Sequence, residues 1–208
     1  MKYEKFKIDD SNFLLIEDLL PNDLVDQIDE YVHRPWHQWN RYDNLLDIYP
    51  QWSKPGSILP GDSISLKSNK HIKLNQMAEQ LLDHLSTFFE NELNKTLTKD
   101  MLFNSGRDIE RLHRYFPEYY DNAQGDLFWH TDASTTILYI PSTYHDNGTV
   151  FVRNQDIHSE HITLPHKRGM ILIFSGDVLH APCQTSPLDD DRVVLTLQYR
   201  FPIHSLIE

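Results

Sequence analysis

The last predicted strand of the chain constrains the fold more than any other feature. Between residues 192 and 201, apolar and polar side chains alternate, so the two faces of an extended segment differ. One face is apolar: Val193, Leu195, Leu197, Tyr199 and Phe201. The other is mostly polar: Arg192, Val194, Thr196, Gln198 and Arg200. Because polar groups are costly inside a sheet unless the interior is a polar site, this pattern predicts a sandwich or barrel with a functional interior and helices outside.

The second half of the chain contains further short strands. Segments with strand propensity cover residues 108–116, 135–140, 149–153 and 170–174. The turns between them are rich in Gly, Asn and Asp, as at Asp146-Asn147-Gly148 and Ser175-Gly176-Asp177. A doubly wound α/β fold needs a regular alternation of strands and helices, which this half lacks. The sequence predicts a mainly β fold.

The first hundred residues are predicted to be helical and irregular support for that β core. Apolar residues at helical spacing indicate a first helix, capped by Asn22 or Asp23 and ended by Pro35. A second helix carries a continuous apolar stripe: Leu74, Met77, Ala78, Leu81, Leu82, Leu85, Phe88 and Phe89. The cluster Trp36–Tyr42 is aromatic and polar, and is interpreted either as a cap over a sheet edge or as a substrate lid. We expect one domain over residues 1–208, with support in 1–100 and the core in 101–208.

Composition excludes several classes of protein. The net charge is −12, which disfavours general binding to nucleic acid or anionic membranes. The single cysteine, Cys183, excludes an internal disulfide and cysteine-rich zinc modules. The first ten residues, MKYEKFKIDD, lack the apolar stretch of a signal peptide, and no apolar run is long enough to span a bilayer. We therefore expect a cytoplasmic protein without membrane partners.

The triplet His130-Thr131-Asp132 and the later His180 form the main candidate site. In an extended segment, positions i and i+2 point to one face, so His130 and Asp132 can bind one ion together. With His180 they make a two-histidine, one-carboxylate set, which suits non-haem Fe(II) and leaves three coordination positions open. Zinc accepts the same ligands. His158, His161 and His166 compete for the second histidine role, but their polar surroundings favour an exposed hairpin.

Arg192 lies on the polar face of the last predicted strand. A guanidinium inside a barrel needs an anion, and its planar fork matches a carboxylate. Thr196 lies on the same face and can donate a further hydrogen bond to that anion. The alternative is an ion pair of Arg192 with the acidic run at residues 189–191. A metal triad with a nearby arginine implies a carboxylate co-ligand that extends from the metal to Arg192.

The order His130-x-Asp132, His180, Arg192 resembles the Fe(II)/2-oxoglutarate-dependent dioxygenases. Arg114-Tyr115 resembles the "RY" strand of their prolyl-hydroxylase-like branch, and residues 168–180 resemble the stretch that leads into its distal histidine. The resemblance covers about the last hundred residues. Val194 stands where that branch commonly has serine, so Thr196 or a tyrosine is the candidate for the second hydrogen bond to the co-substrate.

The resemblance implies a fold, a set of cofactors and a reaction. The fold is a double-stranded β-helix, a cupin-like jelly roll, braced by N-terminal helices. Fe(II) is bound by His130, Asp132 and His180, and 2-oxoglutarate chelates the iron and reaches Arg192, with a hydrogen bond from Tyr115 or Tyr139. Together with O2, these groups would hydroxylate a C–H bond of a small molecule, amino acid or peptide and release succinate and CO2. The alternative is a cupin-type metalloprotein that binds an organic acid without turning over 2-oxoglutarate.

Overall fold

The chain folds into two antiparallel sheets with helices on one side. A computed structural model describes residues 1–32, 40–41, 61–65, 72–103, 109–115, 129–132, 135–141, 147–184 and 192–207. The large sheet has eight strands in the order β1-β2-β9-β6-β11-β5-β4-β3, and the small sheet has three in the order β10-β7-β8. This architecture is the predicted double-stranded β-helix, which is mainly β.

The strands and helices have the following bounds. The strands are β1 (Lys2–Ile8), β2 (Ser11–Glu17), β3 (Asn40–Arg41), β4 (Gly61–Ser65), β5 (Ile109–Tyr115), β6 (Thr135–Tyr139), β7 (Asn147–Val152), β8 (His161–Pro165), β9 (Ile171–Ser175), β10 (His180–Gln184) and β11 (Arg192–Tyr199). The α-helices are α1 (Asn22–Val32), α2 (Ile72–Leu93) and α3 (Lys99–Phe103). Within the described residues, two short 3-10 helices cover Arg153–Gln155 and Ile203–Leu206.

The large sheet separates two hydrophobic cores. The outer core lies between this sheet and the helices, and combines Leu81, Leu85 and Phe89 of α2 with strand residues such as Leu195 and Leu197. Full burial of one such side chain stabilises the fold by about 1.5–3 kcal/mol. The stripe predicted for α2 is therefore confirmed from Met77 to Phe89, whereas the side chain of Leu74 lies outside the described residues.

The inner core lies between the two sheets. Leu138, Leu172, Phe174 and Val194 of the large sheet pack there with Phe151 of the small sheet. Alternation along each strand explains the division, because successive side chains point to opposite faces. In β11 the odd-numbered residues from Val193 to Tyr199 join the outer core, as the sequence pattern predicts.

The N-terminal segment departs from the prediction of helices and loops, because β1 and β2 form a hairpin at the edge of the large sheet. Most of β1 is exposed, so its apolar pattern is weak. Strand β2 pairs with β9 and is buried on both faces: Phe13 lies in the inner core, and Leu14 and Ile16 in the outer core. Burial on both faces removes the period-two alternation by which single-sided strands are recognised.

The first helix begins slightly earlier in the chain than predicted. The carbonyl of Pro21 accepts hydrogen bonds from the backbone N–H groups of Leu24 (3.0 Å) and Val25 (3.1 Å), so Pro21 occupies the cap position instead of Asn22 or Asp23. Of the cluster 36–42, only the backbone of β3 belongs to the described residues. No helix in the described part of the chain is long and apolar enough to cross a membrane.

Candidate metal centre

Backbone hydrogen bonds bring the predicted triad together beside the turn between β9 and β10. His130 and His180 form an isolated antiparallel bridge, in which each backbone N–H donates to the other's carbonyl at 2.9 and 3.0 Å. Two residues later, the backbone N–H of Asp132 donates to the carbonyl of Gly176 at 2.6 Å. The three residues are thus held by main-chain contacts as well as by their side chains.

The side chains of His130, Asp132 and His180 converge on one point. One ligand atom from each residue lies within 4.8 Å of the other two, a spacing that can hold a metal ion. The carboxylate of Asp132 approaches both rings, with Oδ2 3.3 Å from Nε2 of His180 and Oδ1 3.9 Å from Nε2 of His130. His130 is the most accessible of the three, with 29% of its side chain exposed against 5% for His180.

Two hydrogen bonds orient these side chains. Nδ1 of His180 lies 2.8 Å from the carbonyl oxygen of Val178. A carbonyl only accepts, so Nδ1 donates to it and Nε2 is the ring nitrogen that faces the site. On the other side, the hydroxyl of Thr136 donates to Oδ2 of Asp132 at 2.7 Å. The chain therefore fixes both the orientation of the His180 ring and the direction of the carboxylate.

The carboxyl of Asp132 is ionised over a wide pH range. Burial raises its pKa, but attraction to His180 and His130, together with hydrogen bonds from His180 and Thr136, outweighs burial and lowers the pKa below its ordinary value of 3.8. Aromatic rings from both sheets surround His180, with centroid separations of 5.0 Å to Phe174 and 5.9 Å to Phe151. Their apolar surfaces strengthen electrostatic interactions at the site by excluding water.

Two of the residues predicted to bind the co-substrate, Arg192 and Thr196, belong to β11. Thr196 is buried at 8% exposure and lies on the same face of β11 as Val194, which belongs to the inner core. Arg192 is an even number of positions from both, and its backbone pairs with that of Tyr115 in β5. The side chains of Arg192 and Tyr115 lie outside the described residues.

Tyr139 does not lie with the triad. Its side chain belongs to the outer core, whereas Thr136 in the same strand faces Asp132 on the inner side. The prediction that Tyr139 contacts the co-substrate disagrees with this position, because residues of opposite parity in a strand point to opposite faces. The hydroxyl of Tyr139 is buried without a hydrogen-bond partner among the described residues, and burial raises its pKa.

The three histidines that compete with His180 do not belong to the ligand cluster. His158 and His161 are exposed, as predicted, and the ring of His161 packs edge-on against Trp129, 5.2 Å away. His166 is buried instead of exposed, and its Nε2 lies 2.9 Å from the hydroxyl of Thr149 on the small sheet. The side chain of Cys183 and the acidic run 189–191 lie outside the described residues.

Sequence reasoning missed the residues that support the triad. Thr136 comes four positions after Asp132, and its alternation with the apolar Ile137 would have placed it on the inner face. The carbonyl of Val178 has no sequence signal, because every residue has a backbone carbonyl. The side chain of Gln155, which contacts the same turn, has no sequence signal either.

Comparisons with known proteins identify the fold. No protein-family model matches the sequence, and no curated protein is significantly similar to it. Solved structures with the same fold include a Pseudomonas putida prolyl-4-hydroxylase, with a TM-score of 0.53 and 14% identity over 90% of this chain and 92% of the other. A full-length Neurospora crassa protein in complex with alpha-KG has a TM-score of 0.54 and 12% identity over 90% and 74%.

A third similar structure comes from a protein with a different reaction. It is SnoN, a non-heme alpha ketoglutarate dependent epimerase from nogalamycin biosynthesis, with a TM-score of 0.54 and 12% identity over 89% of this chain and 76% of the other. The chain therefore has the double-stranded β-helix fold that Fe(II)/2-oxoglutarate-dependent oxygenases share.

Proposed function

We propose that the chain is an Fe(II)- and 2-oxoglutarate-dependent oxygenase, in which His130, Asp132 and His180 bind the iron. The observation that carries this proposal is the convergence of the three ligand atoms within 4.8 Å, in a fold shared with such oxygenases. Fold alone does not determine function, so the proposal depends on the chemistry of this site.

The donor set fits Fe(II). Two imidazole nitrogens and one carboxylate form a facial triad that leaves three positions for other ligands. Because Nδ1 of His180 donates to the carbonyl of Val178, Nε2 is the nitrogen that a metal would bind. Asp132 is anionic and keeps one oxygen for the metal while the other accepts from Thr136. Zinc binds similar donors, and the experiment below separates it from iron by the response to 2-oxoglutarate.

The co-substrate would be held by residues of β11 and β5. We assign Arg192 to the distal carboxylate of 2-oxoglutarate, with Thr196 and Tyr115 as further hydrogen-bond donors. The shared inner face of Val194 and Thr196 and the pairing of Arg192 with Tyr115 support this assignment. Arginine suits a carboxylate because its planar fork donates two parallel hydrogen bonds.

Bound iron and 2-oxoglutarate would supply the activation of O2, coupled to the release of succinate and CO2. The chain holds the three ligands in place and surrounds His180 with aromatic rings that exclude water. We propose hydroxylation of a C–H bond in a small molecule, amino acid or peptide as the reaction. Proteins of this fold also include an epimerase, SnoN, so the reaction is tested separately from the cofactors.

Anaerobic titration of the metal-free protein with Fe(II) and then 2-oxoglutarate tests the cofactors. Chelation of iron by the keto acid should produce a visible charge-transfer band in the wild type. His130→Ala should abolish the band. Arg192→Ala should raise the concentration of 2-oxoglutarate that is needed to form it. His158→Ala is the matched control, because His158 is an exposed histidine outside the triad and should leave the titration unchanged.

Two results would contradict the proposal. Folded wild-type protein that binds Fe(II) but develops no band with 2-oxoglutarate would support the alternative, a cupin-type metalloprotein without turnover of this co-substrate. Protein that binds no Fe(II) would remove the metal site itself. If the band forms, succinate release in the presence of O2 and candidate substrates identifies the reaction.

A further inference from the structure

The turn at residues 175–179, here called the ligand turn, contacts two of the three candidate ligands. The carbonyl of Gly176 accepts from the backbone N–H of Asp132 at 2.6 Å. The carbonyl of Val178 accepts from Nδ1 of His180 at 2.8 Å. A displacement of this turn would therefore move the backbone of Asp132 and the ring of His180 together.

One side chain from outside the turn joins both sides of Val178. Nε2 of Gln155 donates to the carbonyl of Asp177 at 3.0 Å, and Oε1 of the same amide accepts from the backbone N–H of Leu179 at 2.7 Å. Because the donor and the acceptor belong to one planar group, the two bonds fix the separation of residues 177 and 179. They also fix the direction of the Val178 carbonyl between them.

The backbone that presents Gln155 has an uncommon conformation. Asn154 and Gln155 have φ values of 53° and 57°, in the left-handed region that residues other than glycine rarely adopt. The hairpin turn between β1 and β2 supports this conformation, because Oδ2 of Asp9 accepts from the backbone N–H of Asn154 at 2.5 Å. Asp9 also pairs with Arg153 at 3.4 Å. Strained backbone of this kind persists where the surroundings hold it, and often near functional sites.

We propose that Gln155 is a positioning residue for the metal centre. Its carboxamide holds the ligand turn, and this turn holds the ring orientation of His180 and the backbone of Asp132. This inference rests on the proposed function only in taking His130, Asp132 and His180 as the metal site. The role of Gln155 is exerted through the backbone of the ligand turn.

Two substitutions at neighbouring left-handed residues separate the side chain from the backbone. Gln155→Gly removes both amide hydrogen bonds but keeps the backbone conformation accessible, because glycine adopts positive φ readily. Asn154→Gly is the matched control, since it relieves the same kind of backbone at the adjacent exposed residue and leaves the amide of Gln155 in place.

The first measurement uses the metal-free protein. Nitrogen-15 NMR of the histidine rings should show a protected Nδ1–H for His180 in the wild type and in Asn154→Gly, because this proton is held by the carbonyl of Val178. In Gln155→Gly, the Nδ1–H of His180 should exchange with water faster. A generally structural role would lower the melting temperature without changing this exchange rate, so this signature is specific to positioning.

The second measurement is the dissociation constant for Co(II), read from its visible absorption. Loss of outer contacts to ligands typically weakens metal binding 10–100-fold, and we expect about tenfold for Gln155→Gly. Wild-type affinity and an unchanged exchange rate of the His180 Nδ1–H in that variant would overturn the positioning role. If the wild type binds no Co(II), the proposed metal site fails instead, and the exchange comparison still decides whether Gln155 orients His180.

Discussion

Replacement of Thr136 by valine tests how strongly the chain itself orients the candidate metal ligands. The side chain of Thr136 is fully buried, and its hydroxyl lies 2.7 Å from Oδ2 of Asp132. Valine has nearly the same shape, so Thr136→Val removes the donor with little change in packing. The carboxylate of Asp132 would then lose a hydrogen bond in a site that is largely closed to solvent.

The size of the effect follows from the charge on the acceptor. A hydrogen bond to a charged group contributes about 1.5–3 kcal/mol, so the metal-free variant should lose about that much free energy of unfolding. The pKa of Asp132 should rise, because the hydrogen bond from Thr136 is one of the interactions that lower it. A carboxylate that is free to rotate should also bind metal about 10–100-fold more weakly.

The assay compares wild type, Thr136→Val and Thr136→Ser. Urea unfolding of the metal-free proteins gives the free energies, and Co(II) titration gives the affinities. Serine retains the hydroxyl, so Thr136→Ser should keep near-wild-type affinity despite the lost methyl group. If valine and threonine give the same stability and the same affinity, the hydrogen bond does not orient Asp132, and the reasoning from this contact is refuted.

Three further predictions concern pH and packing. Asp132→Asn should destabilise the metal-free protein at about pH 5, but progressively less as the pH falls below about 3.8. The reason is that a carboxyl with a lowered pKa stabilises the fold only where it is ionised. Urea unfolding across this pH range checks the sign of the effect. Gly148→Ala should lower the free energy of unfolding by about 1–3 kcal/mol, because the new Cβ would lie 2.8 Å from the carbonyl oxygen of Leu164 and 3.1 Å from Cγ2 of Thr163. An unchanged midpoint in urea unfolding would mean that β8 moves freely. Tyr139→Phe should leave 2-oxoglutarate binding unchanged and should not lower the melting temperature, because it deletes a buried hydroxyl that has no partner among the described residues. Weaker binding of 2-oxoglutarate in this variant would instead support a co-substrate contact.

The parts of the fold that sequence predicts well are those where one face of an element is buried. Strand β11 and helix α2 each have one apolar face, and both pack in the outer core as their patterns indicate. Strand β1 has little buried surface, and β2 is buried on both faces, so neither has a one-sided pattern. The assignment of β2 depends on pairing with β9, a contact between distant parts of the chain that local patterns do not contain, and β1 pairs in turn with β2.

The candidate site also contains residues that the sequence predicts well and residues that it does not. His130 and Asp132 are two residues apart in extended backbone, which places both side chains on one face, and the position of His180 follows from the resemblance. Tyr139 was assigned from the family resemblance, but its odd position in β6 directs it to the outer core. Gln155 was missed because its left-handed backbone and its two contacts depend on the neighbouring hairpin and turn.

The bridge between His130 and His180 also connects the metal centre to folding. These two residues belong to distant segments, and reciprocal hydrogen bonds join them at a single isolated pair. An ion held by both side chains would act as a cross-link that the unfolded chain cannot form with the same geometry. A metal present at about 100 times its dissociation constant would add about 2.7 kcal/mol to the free energy of unfolding. The thermal stability of this protein should therefore report metal availability, so a cell short of the metal would hold a less stable and more easily degraded chain.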